Sequence, residues 1–371
     1  MNAPRVEIDL GKVEHNTRTL VDRLGPRGIR VTGITKAALG SPGVGAAMLR
    51  GGAVGLGDSR LQNLSRLADL DGSAARTLIR SPMLSQASQV VRAANVSLNT
   101  ERAVLEALDD AATRFNQVHD VVLMVELGDL REGIPAAELL AASGAVLDRP
   151  WLRLFGIGTN LACQNGVVPD AANMGELTRL ALTVEHAHGV TLEIVSGGNS
   201  ANLDWALSTD DVGRIDELRL GEAILLGTEP LHRTAVPGLH TDAFQLVAEV
   251  IEVRDKPARP WGSRAQTAFG ELPERTGSGT LRQAILALGR QDVAPEGLYA
   301  ADGITVLGMS SDHLVLDIGD HALAVGDELR FALGYGALVR AMTSPFVAKV
   351  EHAPRPAELI VRDDRSDAPR S

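Results

Sequence analysis

The chain has 371 residues, 44% of them hydrophobic, a formal net charge of −11 and a single cysteine, Cys163. That length supports one large domain with a smaller one, and an acidic balance without a basic, aromatic-laced patch argues against nucleic acid and anionic membrane as partners. One cysteine forms no intramolecular disulfide or cysteine zinc cluster, apolar runs are too short to span a bilayer, and residues 1–10 carry no basic-then-apolar leader, so the cytoplasm is expected.

In chain order, a helix is predicted over 11–24. Short β-rich runs then fall at 30–35, 53–57, 76–80, 96–98, 120–126, 153–157, 191–195 and 216–220. Helical patterns at 43–51, 59–69, 84–93, 101–116, 135–147, 170–189 and 200–207 separate them. Eight strands alternating with helices predict an α/β fold of the (β/α)₈ TIM-barrel type. The rival, a doubly wound sheet, lacks a Gly-x-Gly-x-x-Gly turn after its first strand. Beyond residue 232 the pattern becomes strands at 244–253, 283–288, 303–308, 312–318 and 327–333, separated by Gly, Asp and Pro turns. This divides the chain into a barrel over 1–232, a mostly β domain over 233–361 and a frayed tail over 362–371. The Pro-, Gly- and Arg-rich segment 255–280 is a long loop able to reach over a site or a partner subunit. In 312–318, alternation places Leu314, Leu316 and Ile318 on one face, with His313, Val315 and Asp317 on the other. Cys163 is expected to be a small buried hydrophobe.

Such barrels keep their chemistry at the C-terminal ends of the strands. Strand one ends at Lys36, strand two at Asp58, Ser59 and Arg60, and strand five at Glu126, Asp129 and Arg131. Strand six brings Thr159 and Asn160, strand seven Ser196, Gly197, Gly198, Asn199 and Ser200, and strand eight Arg219 with Gly221. Lysine occurs only at 12, 36, 256 and 349 among 36 basic residues. A lysine amine loses its proton when desolvated and an arginine does not, so Lys36 is either a proton-transfer group or a strand-end side chain reaching for water. The Ser-Gly-Gly-Asn-Ser loop before a helix is a ready phosphate site, although a helix cap uses the same residues. Arg219 has its own ordinary explanation, a salt bridge to Glu217 or Glu222. An amine facing a phosphate cradle points to pyridoxal 5'-phosphate, which has an aldehyde for one and a phosphate for the other.

These residues resemble the fold type III pyridoxal-phosphate enzymes, the alanine racemase group, and within it the ornithine-racemising branch. Residues 7–16 are similar to the family's opening strand and helix, and Thr35-Lys36-Ala37 to its Schiff-base lysine motif. The segment 125–133 resembles the one whose arginine, here Arg131, faces the substrate carboxylate and a cofactor oxygen. In 218–223 the resemblance implies Arg219 at the pyridine nitrogen and Gly221 at the phosphate, and in 334–338 it implies Tyr335 completing the phosphate site. The segments 58–63, 196–200, 287–292 and 310–314 point to the ornithine branch. Two departures stand out: the stretch 261–269 lacks the family's catalytic tyrosine, and Asn160 stands where a histidine is expected near the ring.

The resemblance implies a homodimer with shared active sites, in which racemisation needs proton donors on both faces of the α-carbon. Lys36 serves one. The other is drawn from Ser311, Asp312, His313 or Tyr299, with His313 favoured because an imidazole titrates near neutrality. A basic substrate needs a carboxylate partner for its side-chain ammonium, and Asp129, Asp292 and Asp312 are the candidates, with Ser311 also at the substrate. No metal is expected, and the only small-molecule partner is an amino acid. The alternatives are an alanine or broad-specificity racemase, an aldolase or decarboxylase using the same cofactor, and a non-enzymatic cofactor-binding protein.

Overall fold

The computed structural model describes residues 4–70, 72, 74–270 and 278–353. The expected tail 362–371 and part of the loop 255–280 lie outside these residues.

The chain opens with strand β1 (Arg5–Asp9), and Asp9 then caps helix Leu10–Leu24 by accepting from the Lys12 N–H at 3.1 Å. Eight parallel strands follow: β2 (Arg30–Ile34), β3 (Gly55–Asp58), β4 (Ala75–Leu78), β5 (Val96–Asn99), β6 (His119–Met124), β7 (Leu152–Gly158), β8 (Ile194–Ser196) and β9 (Glu217–Leu220). They close into a barrel, with β9 returning to β2 through pairs from Arg30 and Glu217 to Gly33 and Leu220. Period-two alternation explains why these runs are apolar on both faces. On β6, Val122 and Met124 pack inside the barrel with Val96 and Leu98, while Val121 and Leu123 pack outward against the helices.

The remaining strands are β10 (Phe244–Pro257), β11 (Thr280–Leu286), β12 (Leu298–Tyr299), β13 (Thr305–Met309), β14 (Leu314–Asp317), β15 (Glu328–Leu333) and β16 (Ala348–His352). Their order is β12-β15-β10-β11-β14-β13, so the expected (β/α)₈ barrel and mostly β second unit are both present. Leu314, Leu316 and Ile318 are fully buried and His313 is exposed, as the alternation predicts. One strand belongs elsewhere than its sequence position suggests. β1 pairs antiparallel with β10 and parallel with β16, so the first residues of the chain complete the second sheet rather than the barrel. Helix Tyr335–Thr343, starting after Gly334, packs against the turn that carries Lys36. The second unit thereby supplies one wall of the barrel mouth.

His119 is fully buried at the start of β6, with Nε2 2.8 Å from Ser97 Oγ and no partner at Nδ1 among the described residues. Burial pushes its imidazole down to about 4. Since the unfolded ring titrates near ~6.5, the unfolded chain takes up the proton first, and stability is lost as the pH falls through that window. We expect a loss of roughly 3 kcal/mol between pH ~7 and pH ~4 from this group. Urea titrations across the range should show that slope flattened in His119→Gln.

Candidate active site

The barrel strands bring their C-terminal ends to one cavity of about 390 Å³, lined by Lys36, Arg131, Asn160, Asn199, Ser200, Arg219, Gly221, Glu222, Arg233 and Tyr335 among others. A deeper cavity of about 310 Å³ shares Lys36, Arg131, Asn160 and Arg219 with it and adds Ser59, Arg80, Ser81 and Glu132.

Lys36 opens a single helical turn directly after β2, and Leu39 closes that turn at φ +54°. Beneath it, the Thr35 hydroxyl donates to Asp58 Oδ2 at 2.8 Å, while the other oxygen of Asp58 accepts from Arg60 N and Asn63 Nδ2. Asp58 is therefore a fully buried brace for the lysine turn. Nζ of Lys36 lies 5.9 Å from the centre of the Tyr335 ring and has no hydrogen bond or ion pair among the described residues. Lys12, Lys256 and Lys349 are all engaged, with Asp242, Glu252 and the carbonyls of Ser344 and Val347 respectively. Burial pushes the Lys36 amine below the ordinary lysine range, and the cations Arg131 and Arg219 act in the same direction.

Arg219 is 4% exposed and donates to Ser196 Oγ and, at 2.8 Å, to the Thr159 carbonyl. It forms no ion pair among the described residues, so the expected alternative of a bridge to Glu217 or Glu222 is absent. Glu217 instead accepts from Thr32 Oγ1. Hydrogen-bonded to neutral oxygens alone, the guanidinium places a cation in the cavity wall without an ion-pair partner, and burial pushes its pKa below the usual arginine range. Arg131 pairs with Glu132, the residue next to it.

The sequence reading of the Ser-Gly-Gly-Asn-Ser loop divides. Ser196 lies under Arg219 and Gly197 donates its N–H to the Glu217 carbonyl, so these two build the strand end rather than a phosphate cradle. Gly198 is needed for its φ of +136°, where a side chain would also strike Asn202 Oδ1. Asn199 donates to Asn160 Oδ1 and the Leu161 carbonyl, which fixes the neighbouring loop. Ser200 Oγ accepts from the Ala223 N–H at 3.2 Å and so joins the starts of two helical segments. The N–H groups of Asn199, Ser200, Gly221 and Glu222 find no acceptor among the described residues. Unpaired N–H groups at facing helix starts, with a Tyr335 phenol that burial keeps protonated, suit a phosphate. The residues present thus fit pyridoxal phosphate, with an amine across the cavity for its aldehyde.

Other expectations need correction. Asp129 is 1% exposed, and its carboxylate accepts from the N–H groups of Cys163, Gln164 and Asn165, so it organises the loop 161–166 and does not line the cavity. Asp292 is buried in the second unit, accepting from Gly289 N and Ser344 Oγ. Cys163 is exposed at the cavity edge, not buried, because the loop held by Asp129 turns it outward. Ser311, Asp312 and His313 form a tight turn away from this chain's own cavity, where Gln291 and Ser311 both donate to the Asp312 carboxylate. Any Cβ at Gly289 would meet the Ser311 carbonyl oxygen at 1.9 Å, which locks the two loops together.

Sequence reasoning missed Glu222 and Arg233 as cavity residues. Arg233 stands at φ +59° in a loop gathered by Glu229, which accepts from the N–H groups of Leu231, His232 and Thr234. Leu39, Leu130, Ala162 and Arg233, four of the five non-glycine residues with positive φ among those described, flank the cavity or its lining residues. Backbone held in that region is costly and concentrates where side chains must be aimed.

The alanine racemase N-terminal domain family matches residues 8–230. The lysine racemase of Thermotoga maritima is 36% identical over 94% of this chain and 98% of its own length. The ornithine racemase of Acetoanaerobium sticklandii is 34% identical over 93% of this chain and 99% of its own. Among solved structures, alanine racemase from Streptomyces coelicolor superposes with a TM-score of 0.75 at 21% identity, covering 94% of this chain and 97% of that one. D-Threonine aldolase from Filomicrobium marinum gives 0.73 at 16% identity, covering 95% of this chain and 92% of that one, so the fold itself does not choose between chemistries. Sequence likeness to two racemases over nearly the whole chain, together with a desolvated lysine facing a phosphate cradle, places this chain in the alanine racemase family of pyridoxal-phosphate-dependent amino-acid racemases.

Proposed function

We propose that the protein interconverts the L and D forms of a basic amino acid, ornithine or lysine, working as a cytoplasmic homodimer with shared active sites. The observation that carries this is the amine of Lys36, desolvated and without a partner, among cationic side chains at the barrel mouth. Bound pyridoxal phosphate supplies an aldehyde carbon for amines and a ring that draws electrons from the Cα–H bond. Asn199, Ser200, Gly221 and Tyr335 would hold its phosphate, and Arg219 would offer its ring nitrogen a positive charge that disfavours protonation there. Arg131 takes the substrate's α-carboxylate, for which it exchanges Glu132. Lys36 moves a proton at Cα on one face, and lowered basicity suits it to both removing and returning that proton near neutral pH. On the other face we assign His313, reaching the cavity of the partner subunit on a turn shared with Ser311 and Asp312. Its exposure and its rigid mounting on the 289–292 loop support that assignment.

The test is chiral chromatography of the cofactor-loaded protein with L-ornithine, L-lysine and L-alanine. Both basic amino acids should approach equal amounts of the two enantiomers, with kcat/KM at least ~10-fold above that for alanine, as expected when a substrate charge has a dedicated partner. Equal kcat/KM for alanine and the basic amino acids would contradict the assignment of substrate class, and the absence of any D product would contradict the reading as a whole.

A further inference from the structure

Each of the two adjoining cavities has one carboxylate in its lining, Glu132 in the deeper and Glu222 in the outer. Glu132 is held by Arg131. Glu222, the first residue of helix Glu222–Leu226, is half-buried and makes no hydrogen bond or ion pair among the described residues. The other acids at the strand ends are already engaged: Asp58 with Thr35 and Asn63, Asp129 with three backbone N–H groups, Glu217 with Thr32. A partly desolvated carboxylate without a partner is unfavourable unless something brings a cation to it. Burial accordingly pushes the Glu222 carboxyl above the usual carboxylate range, and Arg233 on the facing loop opposes that rise.

A diamino acid carries three charged groups. Its α-amine belongs at the cofactor and its α-carboxylate at Arg131, which leaves the side-chain ammonium without a counter-charge. We propose that Glu222 receives the side-chain ammonium of a diamino-acid substrate and so sets the preference for basic over apolar amino acids. This rests on the racemase reading above. Glu222 lies one residue beyond Gly221 and on the same cavity as Lys36 and Tyr335, so a chain of a few methylenes leaving the reacting carbon stays within one lined space. The contact is a charge-assisted N–H···O bond, the strong kind in a partly dry site.

The experiment compares kcat/KM for L-ornithine with that for L-norvaline, its analogue without the terminal amine, in the holoenzyme and in Glu222→Gln. The ratio should fall about 10- to 100-fold in the variant, the range expected when a buried ammonium loses a charged partner. Glu222→Asp, which draws the carboxylate back by one methylene, should move preference from ornithine toward the longer lysine. A ratio within twofold of the parent enzyme's in Glu222→Gln overturns the proposal. So does a fall in cofactor affinity, read by absorbance titration, with the ratio intact, because that assigns Glu222 to the cofactor. If Glu222→Gln does not fold, an unchanged lysine-to-ornithine ratio in Glu222→Asp overturns it instead. A parent enzyme that racemises no amino acid removes the functional reading and this inference with it, whereas one that racemises ornithine while both variants keep its preferences removes the inference alone.

Discussion

Replacing Lys36 by alanine is expected to lower racemisation at least ~10³-fold, because a positioned proton-transfer group contributes ~10²–10⁴-fold by itself and this amine is also the proposed anchor of the cofactor. The same variant should lose the visible absorbance that the lysine-bound cofactor gives the protein. Folding should survive, since Nζ of Lys36 has no hydrogen-bond partner among the described residues and its removal orphans no buried group. Asp58 and Thr35 brace the turn from below without using the amine. Chiral initial rates, absorbance and a thermal melt on one preparation separate these effects. Activity above a tenth of the parent's would remove Lys36 from the chemistry.

His313→Asn should remove racemisation by ~10²–10⁴-fold in both directions while leaving one enantiomer able to exchange its α-hydrogen with deuterated water, since Lys36 still serves one face. Asparagine keeps the size and polarity of an exposed turn residue, and the turn's bonds from His313 N to Ser310 Oγ and from Ser310 N to the His313 carbonyl are backbone-borne at position 313. The proposed shared sites add a second readout. In that arrangement, co-expressed Lys36→Ala and His313→Asn chains should form mixed dimers with one intact site each, so about a quarter of the parent activity should return if subunits pair at random. Unchanged racemisation in His313→Asn would move the role to Asp312 or Tyr299. No recovery in the mixed dimers would put both groups in one chain.

The barrel was legible in the sequence because each of its strands is a short apolar run between a helical pattern and a turn, and closure follows from having eight of them. β1 was not legible as part of the second sheet. Its five residues run directly into a helix, and only tertiary pairing with β10 and β16 reveals where it belongs. Lys36, Arg131, Asn160, Asn199, Ser200, Arg219, Gly221 and Tyr335 were brought together as motif and strand-end position implied. The misreadings share a cause. Asp129, Asp292 and Ser196 are polar residues in the right segments, but the N–H groups of neighbouring loops, the Ser344 hydroxyl or Arg219 hold them, and the direction of a short side chain is not written in residue type. Glu222 escaped for the opposite reason: three residues after Arg219 in sequence, it read as a salt-bridge partner, whereas the two side chains line the same cavity without pairing.

The most direct test of Lys36 as the centre of this site is borohydride reduction of the cofactor-loaded protein followed by peptide mapping. With only four lysines in the chain, the assignment is unambiguous. A single label on the peptide containing Lys36 is the predicted result. A label on Lys12, Lys256 or Lys349, or a protein that takes up no label, would contradict the account.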